Sequence, residues 1–320
     1  MLISRRNVIL GLAASTTCWP APAVAEGHLI SGRAFGSSWR LTVENTRQMK
    51  PAKAPIEKII ALVDNLMSPY KSTSALSQFN ASHTIDWQTM PASVCSVASS
   101  ALHISQQTNG AFDPTVGPLV SRFGFGPIEG GTGCYKDVLV EPNSIKKNTP
   151  DLTLDLCGIA KGYALDLVAS ELVRLNFRNA IIEIGGEIIT IGKHPSGRPW
   201  QVGIANPLPD QGALYAILEP RSLALATSGH SANGLSGSIS TSHIVNPSLG
   251  SPASTTLASV SVLAATAIEA DAYATALCAA GTDDGVELAT RLGISALFIT
   301  DGTTAATEIV TGNFDAHIVS

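Results

Sequence analysis

DLTLDLCGIAKGYALDLVASELVRLNFRNAIIEIGGEIITIGKH, residues 151–194, changes its periodicity twice. Leu152, Leu154 and Leu156 alternate with polar neighbours, as a half-buried strand does. From Ala160 to Leu175 the apolar residues recur with the 3.6-residue period of a helix. From Asn179 onward alternation returns on both sides of Gly185-Gly186, which reads as two strands joined by a tight turn. A helix that feeds straight into a hairpin belongs to an α+β chain with mixed or antiparallel sheets and packed helices, not to a doubly wound parallel sheet.

The rest of the chain repeats this logic. HLISGRAFGSSWRLTVEN reads as a strand pair, and WQVGIANP, GALYAILE, RSLALATSG, LASVSVLA, SALFITDG and TEIVTG as further strands. Helical spacing predicts helices over Pro55–Met67, Pro91–Gln107, ATAIEADAYATALCAAG and DDGVELATRLG. No fixed-period repeat and no linker divides the chain, and the glycine-rich GFGPIEGGTG reads as a loop inside one large domain, residues 26–320.

Residues 1–25 carry a different signature. Ser4-Arg5-Arg6 precedes a short apolar run, and Ala23 and Ala25 fit a small-x-small cleavage site, so the segment reads as a twin-arginine-type export signal and the mature protein as periplasmic. The apolar run is far shorter than the ~20 residues that a bilayer span needs, and no later segment supplies one. Removing residues 1–25 takes away two arginines and no acid, leaving 18 basic against 25 acidic side chains, a formal charge of −7. No basic stripe is available for nucleic acid. Cys95, Cys134, Cys157 and Cys278 form no Cys-x-x-Cys pair, which removes the zinc and thioredoxin readings.

Four stretches can carry chemistry. Asp271 and Thr275 stand four residues apart on an expected helix, so carboxylate and hydroxyl share a face. Such a pair suits a hard cation such as Mg²⁺, or simply a helix in which Asp271 caps and Thr275 packs. Lys161 follows Gly158 and Ala160 near a helix start, where backbone and partial positive charge can meet a phosphate, although no Walker loop is present. His243 precedes an apolar pair and a turn; it is a general base or an ordinary loop histidine. A hydrolase built on Ser228 lacks the Gly-x-Ser-x-Gly elbow. Asp113, beside Phe112 in NGAFDPTVGPLV, addresses a flat ligand or caps a turn.

Taken in order, AFGSSW, LMSPYKSTSALSQFN, TNGAFDPTVGPLVSRFGFG, LDLCGIAKGYALD, IIEIGGEI, WQVGIANP, ATSG, SHIVNPSLGSP and VSVLAATAIEADAYATAL resemble the ApbE family, the FAD:protein FMN transferases, over nearly the whole mature chain. The resemblance implies an ApbE-like, T-fold-related single domain. It also implies Mg²⁺-dependent cleavage of FAD, with FMN placed on a Thr or Ser of a target flavoprotein and AMP released. Membrane-bound respiratory flavoproteins with a domain outside the cytoplasm are the acceptors it implies. Carried over by position, Asp271, Thr275 and the Gly158 carbonyl would hold the metal, and His243 would be the catalytic base. Lys161 would contact the FAD pyrophosphate, with Phe35, Tyr70, Ala111, Phe112, Asp113, Asp155 and Ile244 at further FAD-bordering positions. The chain departs from the family at Phe35, where methionine is usual, and at HSANG after ATSG. An FAD pyrophosphatase, giving FMN and AMP, and a non-catalytic FAD-binding assembly protein are the competing readings.

Overall fold

The computed structural model describes residues 28–44, 46–131, 133–208, 214–230, 242–254, 256–301 and 307–319. The expected export signal, residues 1–25, lies outside them, as do residues 231–234 of the HSANG departure. The chain enters as a hairpin, β1 (His28–Ala34) and β2 (Ser37–Val43), then α1 (Thr46–Met67), α2 (Ala75–Ala81), β3 (Gln88–Thr89), α3 (Ala92–Gln107) and α4 (Gly117–Arg122). There follow β4 (Val138–Glu141), β5 (Ser144–Lys147), α5 (Cys157–Arg174), β6 (Ala180–Ile184), β7 (Glu187–Ile191), β8 (Val202–Ala205), β9 (Leu214–Leu218) and β10 (Ala224–Gly229). The last part holds β11 (Val245–Asn246), β12 (Ser251–Pro252), β13 (Leu257–Ala264), α6 (Ala267–Ala280), α7 (Thr282–Leu292), β14 (Ser295–Thr300) and β15 (Thr307–Thr311).

Eight strands make the main sheet, in the order β1-β2-β6-β7-β10-β13-β14-β15, and every pairing in it is antiparallel. Successive side chains of a strand leave on opposite faces, and here both faces are covered. On β14, Ala296 and Phe298 join the core under the helices, whereas Leu297 and Ile299 join a second cluster with Val202, Ile204, Leu218 and Phe314. That double burial explains why LASVSVLA reads as an almost continuous apolar run. The fold is thus α+β, as the periodicity indicates, with antiparallel pairing throughout the described strands.

Two details differ from the sequence reading. The expected strand DLTLDL is irregular: Leu152, Leu154 and Leu156 are buried, yet the backbone finds side-chain and loop partners in place of a neighbouring strand. Asn80 donates to the Leu154 carbonyl and accepts from the Leu154 N–H, both at 2.8 Å, and the Asp155 N–H donates to the Pro114 carbonyl at 2.6 Å. Alternating burial reports which residues face the core, not what satisfies the backbone. The second difference is α1, which begins nine residues before Pro55 and passes through Pro51 as well. Prolines favour a first turn, but burial of Ala52 and Ile56 draws the helix past both.

A three-stranded sheet, β3-β5-β4, packs beside α3 and was not evident from the sequence. Among the described residues no helix is long and apolar enough to cross a membrane.

Candidate active site at one end of the main sheet

Strand register brings the site together. β2 and β6 pair antiparallel with Trp39 opposite Ile184, so the Phe35-Gly36 turn and the Gly185-Gly186 turn lie at the same end of the sheet. Both turns use left-handed backbone: φ is 48° at Phe35, 77° at Gly36, 63° at Gly185 and 106° at Gly186. Two-residue hairpins of this hand match strand twist, which is why glycine recurs there. β10 runs antiparallel to β7, so its Ser228-Gly229 end meets Glu187 at that same margin. Glu187 and Ser228 point to the helical face, being two residues from Ile189 and Ala226 of the helix-covered core.

Over that face α5 and α6 approach closely. A Cβ on Gly162 would fall 2.2 Å from the Ala267 carbonyl oxygen, so only glycine permits the contact. Asp166 fixes the start of α6, its carboxylate accepting from the Ala267 N–H at 2.8 Å and the Ile268 N–H at 2.9 Å. Thr266 is the N-cap, its hydroxyl accepting from the Glu269 N–H at 3.4 Å and donating to the Glu269 carboxylate at 2.8 Å. One turn further, Asp271 is buried and its Oδ2 accepts from the Gly162 N–H at 2.9 Å.

Lys161 projects between the two helices and the sheet. Its ammonium pairs with Glu187 Oε1 and lies 3.6 Å from Asp271 Oδ1. Burial works against its charge, but Asp271 and Glu187 outweigh it, so the lysine is held above its ordinary pKa. Glu187 is pushed up to about 7 by burial and by Asp271, against the pull of Lys161. Its Oε2 is buried without a hydrogen-bond partner among the described residues.

Thr275, one helical turn beyond Asp271, has its hydroxyl 3.5 Å from Ser228 Oγ. A Cβ on Gly158 would stand 3.2 Å from both Thr275 Oγ1 and Phe112 Cε2, so α5, α6 and the 111–113 loop converge on this glycine. Phe112 is buried against it. Asp113 is occupied by its own turn: Oδ1 accepts from the Thr115 N–H and hydroxyl at 2.8 and 2.7 Å, and Oδ2 from the Tyr135 N–H at 3.1 Å. Burial raises its pKa against these bonds. Asp155 Oδ1 caps α5 by accepting from the Cys157 N–H at 2.9 Å. Tyr70 stands exposed by 72 % where it feels Cys157 and Asp155. Ala111 is partly buried, and Phe35 packs on the core from the β1–β2 turn.

His243 lies within electrostatic reach of Lys161. Burial, then His230, then Lys161 hold its pKa below the ordinary histidine value, which favours a neutral ring. Among the described residues its Nδ1 is buried with no partner, and its ring meets Phe125 edge-on, centroids 6.0 Å apart. Ile244 is buried beside it. The structure therefore joins Gly158, Lys161, Asp271, Thr275 and Phe112 in direct proximity, with His243 in the same field.

Sequence reasoning missed Glu187, His230, Ser242 and Asp166. A signal existed for Glu187, since it shares strand parity with core residue Ile189. His230 likewise shares parity with Ser228. Asp166 carried none, because its partners are more than 100 residues away.

The ApbE family profile matches residues 35–298. The FAD:protein FMN transferase of Vibrio cholerae serotype O1 is 31 % identical over 313 residues, covering 92 % of this chain and 93 % of that protein. The FAD:protein FMN transferase of Escherichia coli K12 is 29 % identical over 326 residues, covering 94 % and 93 %. The solved structure of the flavin transferase ApbE from Vibrio cholerae superposes with a TM-score of 0.82 at 30 % identity, over 92 % of this chain and all of that one.

Proposed function

The chain belongs to the ApbE family, and from that membership we propose that it is a Mg²⁺-dependent FAD:protein FMN transferase. It splits FAD, leaves FMN as a phosphoester on a threonine or serine of an acceptor flavoprotein, and releases AMP. The observation that carries this reading is the meeting of Lys161, Asp271 and Thr275 where α5, α6 and the sheet margin converge.

The donor set fits Mg²⁺. Among the described residues no three His, Cys, Asp or Glu side chains cluster as a metal cage. What stands here is one carboxylate, one hydroxyl and a backbone carbonyl, all hard oxygen donors, and Mg²⁺ typically takes one or two carboxylates and completes its shell with phosphate and water. Asp271 would bind through Oδ1, Thr275 through its hydroxyl. Gly162 N–H is the amide that a regular helix would give to the Gly158 carbonyl; Asp271 Oδ2 draws on it, which favours that carbonyl as the third donor. When bound, Mg²⁺ neutralises charge that develops on phosphoryl oxygens.

The protein's own groups supply the remainder. The start of α5 and the Lys161 ammonium set fixed positive charge where a pyrophosphate would lie. Asp271 and Glu187 keep that lysine charged across the working pH range. His243, neutral because burial lowers its pKa, accepts the proton of the acceptor hydroxyl as that oxygen bonds to the FMN phosphorus. The bond from that phosphorus to the bridging oxygen breaks, and AMP departs with the bridge oxygen. Catalysis of this kind is mostly positioning and electrostatics. Tyr70 offers an exposed ring to the flavin, and the Asp113-clamped loop holds Ala111 and Phe112 at the rim.

The Arg5-Arg6 segment supports export by the twin-arginine route and work in the periplasm, where the acceptor would be the external domain of a membrane-bound respiratory flavoprotein. The test is incubation of the purified protein with FAD, MgCl₂ and such a domain. A fluorescent flavin band on the denatured acceptor is expected. Free FMN without a labelled band would replace transfer by hydrolysis, and intact FAD would leave a binding protein.

A further inference from the structure

Among the described residues His243 lacks the carboxylate that usually orients a general base. In hydrolytic triads a buried carboxylate bonds the second imidazole nitrogen and fixes tautomer and angle. Here Nδ1 of His243 is buried with no partner among the described residues. Among the described residues the ring meets Phe125 edge-on, and the rest of its order comes from the backbone on which it hangs.

That backbone is held by its neighbours. Ser242 is buried, and its hydroxyl lies 2.6 Å from Nδ1 of His230, twelve residues earlier. The same hydroxyl accepts from the Ile244 N–H at 3.0 Å, so it spans the peptide units on both sides of His243. The Ala253 N–H donates to the Ile244 carbonyl at 2.9 Å, closing the β11–β12 hairpin beneath. His230 in turn is anchored to the sheet: it directly follows β10, and its N–H donates to the Ala258 carbonyl at 3.3 Å. Its Nε2 meets Cys278 Sγ at 3.9 Å, on α6 one turn past Thr275. Burial lowers the pKa of His230, opposed by the Ser254 and Leu257 backbone, so the ring serves as a neutral donor and acceptor.

We infer that His230 and Ser242 are positioning residues for His243, a clasp that fastens the base to the sheet and to the helix carrying Asp271 and Thr275. Rigid placement matters because a displacement of about 1 Å in a reacting group can cost about 10²-fold in rate. The clasp acts on orientation and not on FAD capture, since neither side chain belongs to the Lys161–Asp271 group. This inference rests on the transferase reading for its kinetic effect, but not for its geometry.

The experiment has a kinetic arm and a spectroscopic one. With FAD, MgCl₂ and acceptor, Ser242→Ala and His230→Phe are expected to lower kcat about 10²-fold while KM for FAD stays within about twofold. Ser242→Thr, which keeps the hydroxyl, and His230→Asn, which places an amide near the Nδ1 position, should recover most of the rate. In ¹⁵N-histidine spectra, read without turnover, the His243 ring signals should broaden or split in Ser242→Ala and sharpen again in Ser242→Thr. Full kcat and unchanged His243 signals in Ser242→Ala would overturn the inference, as would equal losses in His230→Phe and His230→Asn. Failure of the unsubstituted protein to label any acceptor would overturn the transferase reading alone, because the spectra still decide the clasp.

Discussion

Lys147 and Lys161 are both lysines placed among apolar residues, in a chain with only 20 basic side chains, and they live in opposite electrostatic worlds. Lys147 on β5 is fully buried, and no carboxylate among the described residues pairs with it. Its ammonium donates to the Leu152 carbonyl at 2.9 Å and the Phe79 carbonyl at 3.5 Å, and sits 5.2 Å from the centre of the Phe79 ring. Burial lowers its pKa, only partly opposed by Asp151. Lys161 keeps a third of its side chain exposed, faces Glu187 and Asp271, and has its pKa raised. One lysine satisfies carbonyls of an irregular segment that no strand can serve. The other keeps its charge between two carboxylates at the sheet margin, where the proposed function would set a pyrophosphate. Two lysines thus separate, one fully buried on carbonyls and one half-buried on carboxylates, by the partners that the fold supplies.

The comparison can be sharpened or broken by experiment. The largest effect is expected from Asp271→Ala, which removes the proposed metal donor and a neighbour of Lys161: transfer should fall about 10³-fold, measured as flavin fluorescence on the acceptor. An unchanged rate would detach α6 from the chemistry. Lys161→Met should lower kcat/KM about 10²-fold and also destabilise, because it strands Glu187 beside Asp271. Adding Glu187→Gln should restore the unfolding midpoint without restoring the rate. Lys147→Met should do the reverse, costing about 1–3 kcal/mol of stability through two deprived carbonyls with turnover little changed. Activity lost at Lys147 and kept at Lys161 would break the contrast.

Smaller effects concern pH. As the proposed base His243 must be neutral to act, and its pKa is held low, so the rate should fall only as pH drops below the ordinary histidine value of about 6.5. Lys161 contributes to that lowering; Lys161→Met should move the acid limb upward, and Lys147→Met should leave it in place. A second pH effect is that of Glu187 on stability. Its folded pKa is raised to about 7, so the native state binds more protons than the unfolded chain from about pH 4.5 to 7. Stability should decline across that window, and Glu187→Gln should flatten the decline in urea unfolding at pH 5 and 7.5.

Much of this was legible in the chain itself. The helix–hairpin succession of residues 151–194 indicated α+β architecture, and the Gly185-Gly186 turn fell where it was expected. The spacing of Asp271 and Thr275 placed both on one helical face, since α-helix geometry is local. DLTLDL misled, because alternation records burial while Asn80 and Pro114, far off in the chain, take the backbone bonds. Glu187 was read as part of a strand and nothing more. Its parity with Ile189 marked it as inward, but no local rule says that a lysine will stand opposite.

The linear chain determined what short-range geometry can encode: periods, turns, caps and side chains one helical turn apart. Only the tertiary structure decided which charge meets which. Lys161 and Glu187 are 26 residues apart and meet through helix-on-sheet packing, Gly162 meets Asp271 across 109, and His230 reaches Ser242 across twelve. The physical reason is that Coulomb and hydrogen-bond energies depend on distance in space and on the water excluded around them, and strand register and helix packing set both.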